Sequence, residues 1–129
     1  MKITVNDTRT KILVIDDFSS IARCMEKYFP DASVDHRYRI PIDDLPKLDD
    51  YDILIVDNQG IGNGKWKNGE EFLKDYQPKK PNQMVIFHSG LGPNQEFVDI
   101  LKSKGFFSFT KGRNPDKLVA LVKENFKHE

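Results

Sequence analysis

Residues 51–57 read Tyr-Asp-Ile-Leu-Ile-Val-Asp, and this short stretch decides the fold. Residues 53–56 are all apolar and lack the polar alternation of a strand with one face in water, so they predict a strand that is buried on both faces. Residues 12–15 and 84–87 form two more runs of this kind. Such strands are typical of parallel sheets covered by helices, so the three runs predict the centre of a parallel sheet.

Two weaker strand patterns and four helical patterns lie between and after these runs in the sequence. The remaining strand candidates are residues 32–39 and 106–110. Apolar residues recur at helical spacing in four segments bounded by proline, glycine or polar capping residues. These segments are residues 21–29, 70–76, 93–105 and 114–126. The alternation of strands and helices predicts a doubly wound α/β sandwich, in which a five-stranded parallel sheet of order 2-1-3-4-5 lies between two helical layers.

The length and charge of the chain limit its possible functions. A chain of 129 residues has the length of one domain, so we interpret residues 1–129 as a single domain in which residues 1–10 are an amino-terminal extension. Its 20 basic and 20 acidic residues leave no basic excess, which argues against nucleic acid as a partner. The single cysteine, Cys24, excludes an internal disulfide, and no apolar run has the length of a membrane span. We therefore expect a cytoplasmic protein with no membrane partner.

The residues that end the predicted strands share one chemistry. Binding sites of open α/β sheets lie beyond the carboxyl ends of the strands, and these ends carry Asp16, Asp17, Asp57, Ser89 and Lys111. Crowded carboxylates repel one another unless a cation lies between them, and oxygen ligands of this kind suit Mg²⁺. The ion would neutralise phosphoryl oxygens, while Ser89 and Lys111 would donate to the remaining charge. Because carboxylates can form aspartyl phosphates, the pattern predicts Mg²⁺-dependent phosphoryl transfer with Asp57 as the nucleophile.

Four motifs, at residues 11–17, 51–57, 85–90 and 109–111, resemble the signatures of response-regulator receiver domains of two-component signalling. The resemblance covers nearly the whole chain and implies the flavodoxin-like fold of chemotaxis regulators. It also implies a phosphorylation-dependent switch that accepts a phosphoryl group on Asp57 from a histidine kinase or a histidine phosphotransfer protein. Such a domain is not a conventional enzyme, because it catalyses only its own phosphorylation and dephosphorylation. It signals through contacts with an effector protein.

The same resemblance assigns roles to individual residues. Asp17 and Asp57 would bind Mg²⁺ directly, together with the main-chain carbonyl of Gln59, and Asp16 would act mostly through water. The groups expected to contact the phosphoryl group are Ser89 and Lys111.

The carboxyl-terminal motif departs from the family pattern at two positions. Gly112 follows Lys111 where the family has proline, and Ser108 occupies the place of the aromatic residue that couples phosphorylation to the output surface. Phe107 and Phe109 flank Ser108 and are therefore candidates for that coupling role. The residues expected to form the switch are Ser89, Phe107, Ser108 and Phe109.

The glycine-rich loop over residues 58–68 is longer than its counterpart in the family. Because glycine-rich backbone loses much entropy on ordering, we expect the loop to be mobile when the site is empty. Lys65, Trp66 and Lys67 would make it a lid or a partner-recognition element over the phosphorylation site. An inert surface insertion is an equally good interpretation.

Two other functions fit parts of the sequence. A pseudo-receiver would keep the fold as a scaffold without being phosphorylated, as the altered residues 108 and 112 allow. A small Mg²⁺-dependent phosphohydrolase would need a further base and a substrate pocket, neither of which the sequence indicates. His88 is interpreted as a structural residue, and no histidine has a partner at the spacing of a zinc site.

Overall fold

The computed structural model describes residues 10–41, 45–90, 94–110 and 116–126. Five parallel strands form one sheet of order β2-β1-β3-β4-β5, so the predicted flavodoxin-like α/β fold and its strand order are confirmed. The strands are β1 (Lys11–Ile15), β2 (Ser33–Arg37), β3 (Ile53–Asp57), β4 (Met84–Ser89) and β5 (Phe107–Thr110). The α-helices are α1 (Ser20–Tyr28), α2 (Gly69–Asp75), α3 (Gln95–Ser103) and α4 (Asp116–Asn125), and a short 3₁₀ helix spans Leu45–Asp50.

Side chains of the sheet alternate between two apolar cores. One side of the sheet packs against α2 and α3, and we call these residues the first core; the other side packs against α1 and α4 and forms the second core. This double burial explains why β1, β3 and β4 are continuous apolar runs. From the strands, the first core contains Leu13, Ile15, Leu54, Val56, Val85 and Phe87, and the second contains Ile12, Val14, Ile53, Ile55, Met84 and Ile86.

Local hydrogen bonds set the ends of the helices. The Asn68 side chain accepts from the Glu71 N–H at the start of α2, and the Asn94 side chain accepts from the Phe97 N–H at the start of α3. After α3, Gly105 has a φ of +76°, the left-handed conformation that glycine adopts most easily at the end of a helix. The residues predicted to start the last two helices, Pro93, Asn114 and Pro115, lie outside the described residues.

A single lysine joins the carboxyl-terminal ends of α2 and α3. Lys104 Nζ donates to the carbonyl oxygens of Leu73, Lys74 and Tyr76 at 2.9, 2.8 and 2.9 Å. The last carbonyls of a helix have no partner within it, so the ammonium satisfies acceptors that would otherwise need water. None of the helices in the described segments is long and apolar enough to cross a membrane.

Candidate functional site

The carboxyl ends of β1, β3 and β4 place three polar side chains in one row across the sheet. Ile15 pairs with Val56, which brings Asp16 and Asp57 side by side, and Asp57 pairs with His88 on the next strand. All three are buried: Asp16 and His88 are each 1% exposed, and Asp57 is 6% exposed. One potential ligand atom from each residue lies within 4.8 Å of those of the other two, a spacing at which the set could hold a metal ion.

Main-chain hydrogen bonds orient both carboxylates of the row. Asp16 Oδ1 accepts from the Phe18 N–H at 3.0 Å, and Asp57 Oδ1 accepts from the Asn58 N–H at 2.8 Å. The Asp16 carbonyl oxygen accepts from His36 Nε2 at 2.8 Å, which joins the end of β1 to β2. The two carboxylates are therefore held at fixed positions by the turns that directly follow their strands.

Asp17 lies beside the loop that follows β3. A Cβ atom on Gly60 would collide with the Asp17 carboxylate, so this side chain packs directly against the Gly60 backbone. Asp17 is half-buried, Gln59 is exposed, and the metal-compatible cluster contains Asp16 and Asp57 without Asp17. The direct binding of Mg²⁺ by Asp17 and by the Gln59 carbonyl stays a prediction.

The groups predicted to contact a phosphoryl group are described only in part. Ser89 is the last residue of β4 and is 4% exposed, at the same edge of the sheet as Asp57. Lys111 and Gly112 lie outside the described residues. The roles of Ser89 and Lys111 stay predictions.

The predicted switch residues on β5 divide between the two faces of that strand. Phe107 and Phe109 pack against the second core, whereas Ser108 is exposed on the opposite face. Phe109 pairs with His88 across the sheet, and their rings are stacked with centroids 5.7 Å apart and an interplanar angle of 0°. Phe109 therefore contacts the row of polar residues through His88, and its coupling role stays a prediction.

The long loop is packed, with Trp66 inside it. Trp66 is 5% exposed, its Nε1–H donates to Asp75 Oδ2 at 2.8 Å, and its ring meets the Phe72 ring edge-on at 5.0 Å. The Asn63 side chain accepts from the N–H groups of Lys65 and Trp66 at 2.7 and 2.8 Å. The loop thus has its own hydrogen bonds and its own share of the first core.

This packing favours an ordered loop over a mobile lid, and the role of Lys65, Trp66 and Lys67 as a lid or partner-recognition element stays a prediction. The indole contributes more free energy when it is buried against apolar side chains than when it is presented to solvent, and its N–H has a carboxylate acceptor. Lys65 Nζ lies 4.6 Å from the centre of the Trp66 ring, and the Lys67 N–H donates to Glu71 Oε1 at 2.9 Å. Only Lys65 and Lys67 of the three predicted loop residues are exposed.

His88 is a neighbour of the two carboxylates, a position that was not predicted from the sequence. Its interpretation as a structural residue is untested, and it completes the buried row with Asp16 and Asp57. Strand alternation provides a signal for this placement, because residues 84, 86 and 88 share one face of β4 just as 53, 55 and 57 share one face of β3.

Comparisons with known proteins come from structure, since no protein-family model and no curated protein matches the sequence. A CheY-like response regulator receiver domain protein from Methanospirillum hungatei JF-1 is 20% identical, with a TM-score of 0.68 over 90% of this chain and 92% of that one. The signal receiver domain of a DNA binding response regulator from Colwellia psychrerythraea 34H is 24% identical, with a TM-score of 0.68 over 89% of this chain and 96% of that one.

A third structure carries ligands. It is a response regulator protein from Burkholderia pseudomallei with a phosphorylated aspartic acid, a calcium ion and citrate, and it is 18% identical, with a TM-score of 0.63 over 86% of this chain and 65% of that one. At such identities the likeness extends to the fold alone. Its consistency across these proteins establishes that this chain has the fold of CheY-like response regulator receiver domains.

Proposed function

We propose that this protein is a phosphorylation-dependent signalling receiver whose acceptor is Asp57. The observation that carries the proposal is the position of Asp57: a buried carboxylate at the carboxyl end of the central strand, beside Asp16, in a sheet of receiver topology. Burying a carboxylate costs free energy unless it is hydrogen-bonded or paired with a cation. The Asn58 N–H offsets part of that cost, and a bound cation at this position would offset more.

The reaction is a transfer of a phosphoryl group to a carboxylate oxygen. Asp57 attacks the phosphorus atom of a phosphohistidine on a histidine kinase or a histidine phosphotransfer protein. An O–P bond forms as the N–P bond of the donor breaks, and the electron pair of that bond stays on the imidazole nitrogen, which a proton then neutralises. The Asn58 N–H, at 2.8 Å from Asp57 Oδ1, holds the carboxylate in one orientation and so reduces the entropy lost on attack.

The Asp16 and Asp57 carboxylates lie close enough together to share one divalent cation. The Asp16, Asp17 and Asp57 carboxylates and the Gln59 carbonyl would hold Mg²⁺, which takes oxygen ligands almost exclusively. When bound, the ion would offset the negative charge of the phosphoryl oxygens. Ser89 would donate its hydroxyl to a phosphoryl oxygen, and Lys111 would supply a positive charge. A structure of this fold that holds both a phosphorylated aspartic acid and a calcium ion supports the pairing of acceptor and cation.

The signal leaves the domain through a change in its surface. Phosphorylation draws Ser89 toward the phosphoryl group, and β5 and α3 shift between two packings that an effector protein distinguishes. The single cysteine, Cys24, suits a reducing compartment, so we place the protein in the cytoplasm.

Labelling with a small phosphodonor tests the proposal. The protein is incubated with acetyl phosphate and Mg²⁺ and then weighed by intact-protein mass spectrometry, and we expect the mass of one added phosphoryl group. Asp57→Asn removes the nucleophile and should abolish the label, whereas Asp99→Asn, which changes an exposed carboxylate on α3, should keep it. A wild-type protein that binds Mg²⁺ and takes no label would instead be a pseudo-receiver.

A further inference from the structure

We propose that His88 supplies a nitrogen ligand to the divalent cation of this site, so that the site prefers a first-row transition metal to Mg²⁺. The inference rests on the proposed function, because it takes the pocket around Asp57 as the cation site. It goes beyond that function by naming a further binding residue and the chemical class of the ion.

The geometry places the imidazole among the carboxylates. His88 pairs directly with Asp57 across β3 and β4, and both lie on the side of the sheet that carries the second core. Ligand atoms of His88, Asp16 and Asp57 lie within 4.8 Å of one another. Two ligands on opposite sides of an ion at about 2.1 Å are roughly 4.2 Å apart, so small side-chain rotations bring the three atoms into range.

Packing fixes the His88 ring in this position. The ring is 1% exposed and stacks in parallel on Phe109, so it cannot turn into solvent. Ligands that are held by their surroundings bind a metal more tightly, because less entropy is lost on binding. The chain therefore contributes one nitrogen on a fixed ring and two carboxylate oxygens close to it.

The chemistry of the donor set decides which ion it favours. Mg²⁺ takes oxygen ligands, whereas an imidazole nitrogen suits Zn²⁺, Co²⁺, Fe²⁺ and Ni²⁺. A site of carboxylates alone discriminates weakly between these ions. Exchanging one oxygen for the His88 nitrogen raises the affinity for the transition metals and does little for Mg²⁺.

The opposite role makes a different prediction. If His88 instead served as an imidazolium counter-charge for Asp16 and Asp57, it would repel any cation. Removing the ring would then raise the affinity for Mg²⁺ and Co²⁺ alike.

Metal titrations of the full chain separate these roles. Co²⁺ binding is followed by its visible absorption and Mg²⁺ binding by competition, in the wild type, in His88→Leu and in His128→Gln, which removes another imidazole of the chain. We expect His88→Leu to lose Co²⁺ affinity by about tenfold or more while its Mg²⁺ affinity changes by less than about threefold. His128→Gln should match the wild type. Parallel changes in Co²⁺ and Mg²⁺ affinity on losing His88, or a gain in both, would overturn the proposal.

A measurement on the unaltered protein covers the case in which His88→Leu does not fold. Electron spin-echo spectra of Mn²⁺ bound to the wild type should show coupling to a ¹⁴N nucleus, and the coupling should persist in His128→Gln. The remaining histidine, His36, already donates a hydrogen bond from Nε2 to the Asp16 carbonyl oxygen. Absence of nitrogen coupling would overturn the proposal. If acetyl phosphate still labelled Asp57 in the presence of Mg²⁺, the proposed function would stand without it.

Discussion

At the scale of single residues, the site depends on a position without a side chain. Gly60 has a φ of +83°, in the left-handed region that glycine adopts without strain, and its backbone lies against the Asp17 carboxylate. Any side chain at residue 60 would both strain the backbone and displace that carboxylate. Gly60 therefore determines where Asp17 can lie.

We expect Gly60→Ala to lower the free energy of unfolding by about 1–2 kcal/mol, because alanine is strained at this φ. It should also weaken Mg²⁺ binding if Asp17 contributes to the cation site. Gly64→Ala is the matched control, since a Cβ there meets no atom within 4 Å and its φ is not positive. Urea unfolding and Mg²⁺ titration of both variants check this. Equal effects of the two substitutions would contradict it.

The sequence predicts the positions of the two buried carboxylates, Asp16 and Asp57, better than the position of His88 beside them. Asp16 and Asp57 follow continuous apolar runs, so their position at the carboxyl edge of a parallel sheet is predictable from the runs alone. His88 is less visible, because the alternation that puts it on one face with residues 84 and 86 does not show which residue of the neighbouring strand lies beside it. Its placement beside Asp57 depends on the register between β3 and β4, which the structure provides.

At the scale of elements, burial explains which predictions are accurate. The central strands β1, β3 and β4 are confirmed almost residue for residue, since burial on both faces requires an unbroken apolar run. The edge strand β2 is Ser33–Arg37 where residues 32–39 were expected, because a partly exposed strand has mixed composition and weak ends. The order of the long loop was not predicted, since it comes from tertiary contacts to Asp75 and Phe72 that its glycine content does not reveal.

The buried indole leads to a prediction about this loop. Trp66 is the only tryptophan, so its emission reports on the loop directly. We expect short-wavelength emission that acrylamide quenches weakly, unchanged by Mg²⁺ or by beryllofluoride as a phosphoryl mimic, because the ring is already packed. Asp75→Ala, which removes the acceptor of the indole N–H, should shift the emission to longer wavelength. A reversible shift of the Trp66 emission on adding Mg²⁺ to the wild type would instead support the lid hypothesis.

At the scale of the whole molecule, the two ends of the parallel strands differ in chemistry. The acidic cluster lies at the carboxyl ends of the strands, the carboxyl edge, whereas a hydrogen-bonded network around Gln83 lies at their amino ends, the amino edge. The Tyr76 hydroxyl donates to Gln83 Oε1 at 2.6 Å, and Gln83 Nε2 donates to the carbonyl oxygens of Leu48 and Tyr51. This network joins the 3₁₀ helix to the segments that precede β3 and β4 and that follow α2. It stabilises the fold at a distance from the acidic cluster.

The amino edge makes stability fall at alkaline pH. Burial raises the pKa of Tyr76 to about 12, and the Asp49 carboxylate adds to that shift. Burial likewise raises the pKa of Tyr51 to about 12, with a further contribution from its hydrogen bond to Asp35. In the unfolded chain both phenols titrate near 10, so between about pH 10 and 12 the folded state binds more protons than the unfolded state. Their contribution to stability is therefore complete below pH 10 and is lost as the pH rises toward 12.

We expect the free energy of unfolding in urea to fall over this range, and to fall less steeply in Tyr76→Phe, whose ring packs alike but does not ionise. Tyr38→Phe, at an exposed ring, is the control and should fall as steeply as the wild type. Equal slopes for Tyr76→Phe and the wild type would show that this buried phenol does not control alkaline stability.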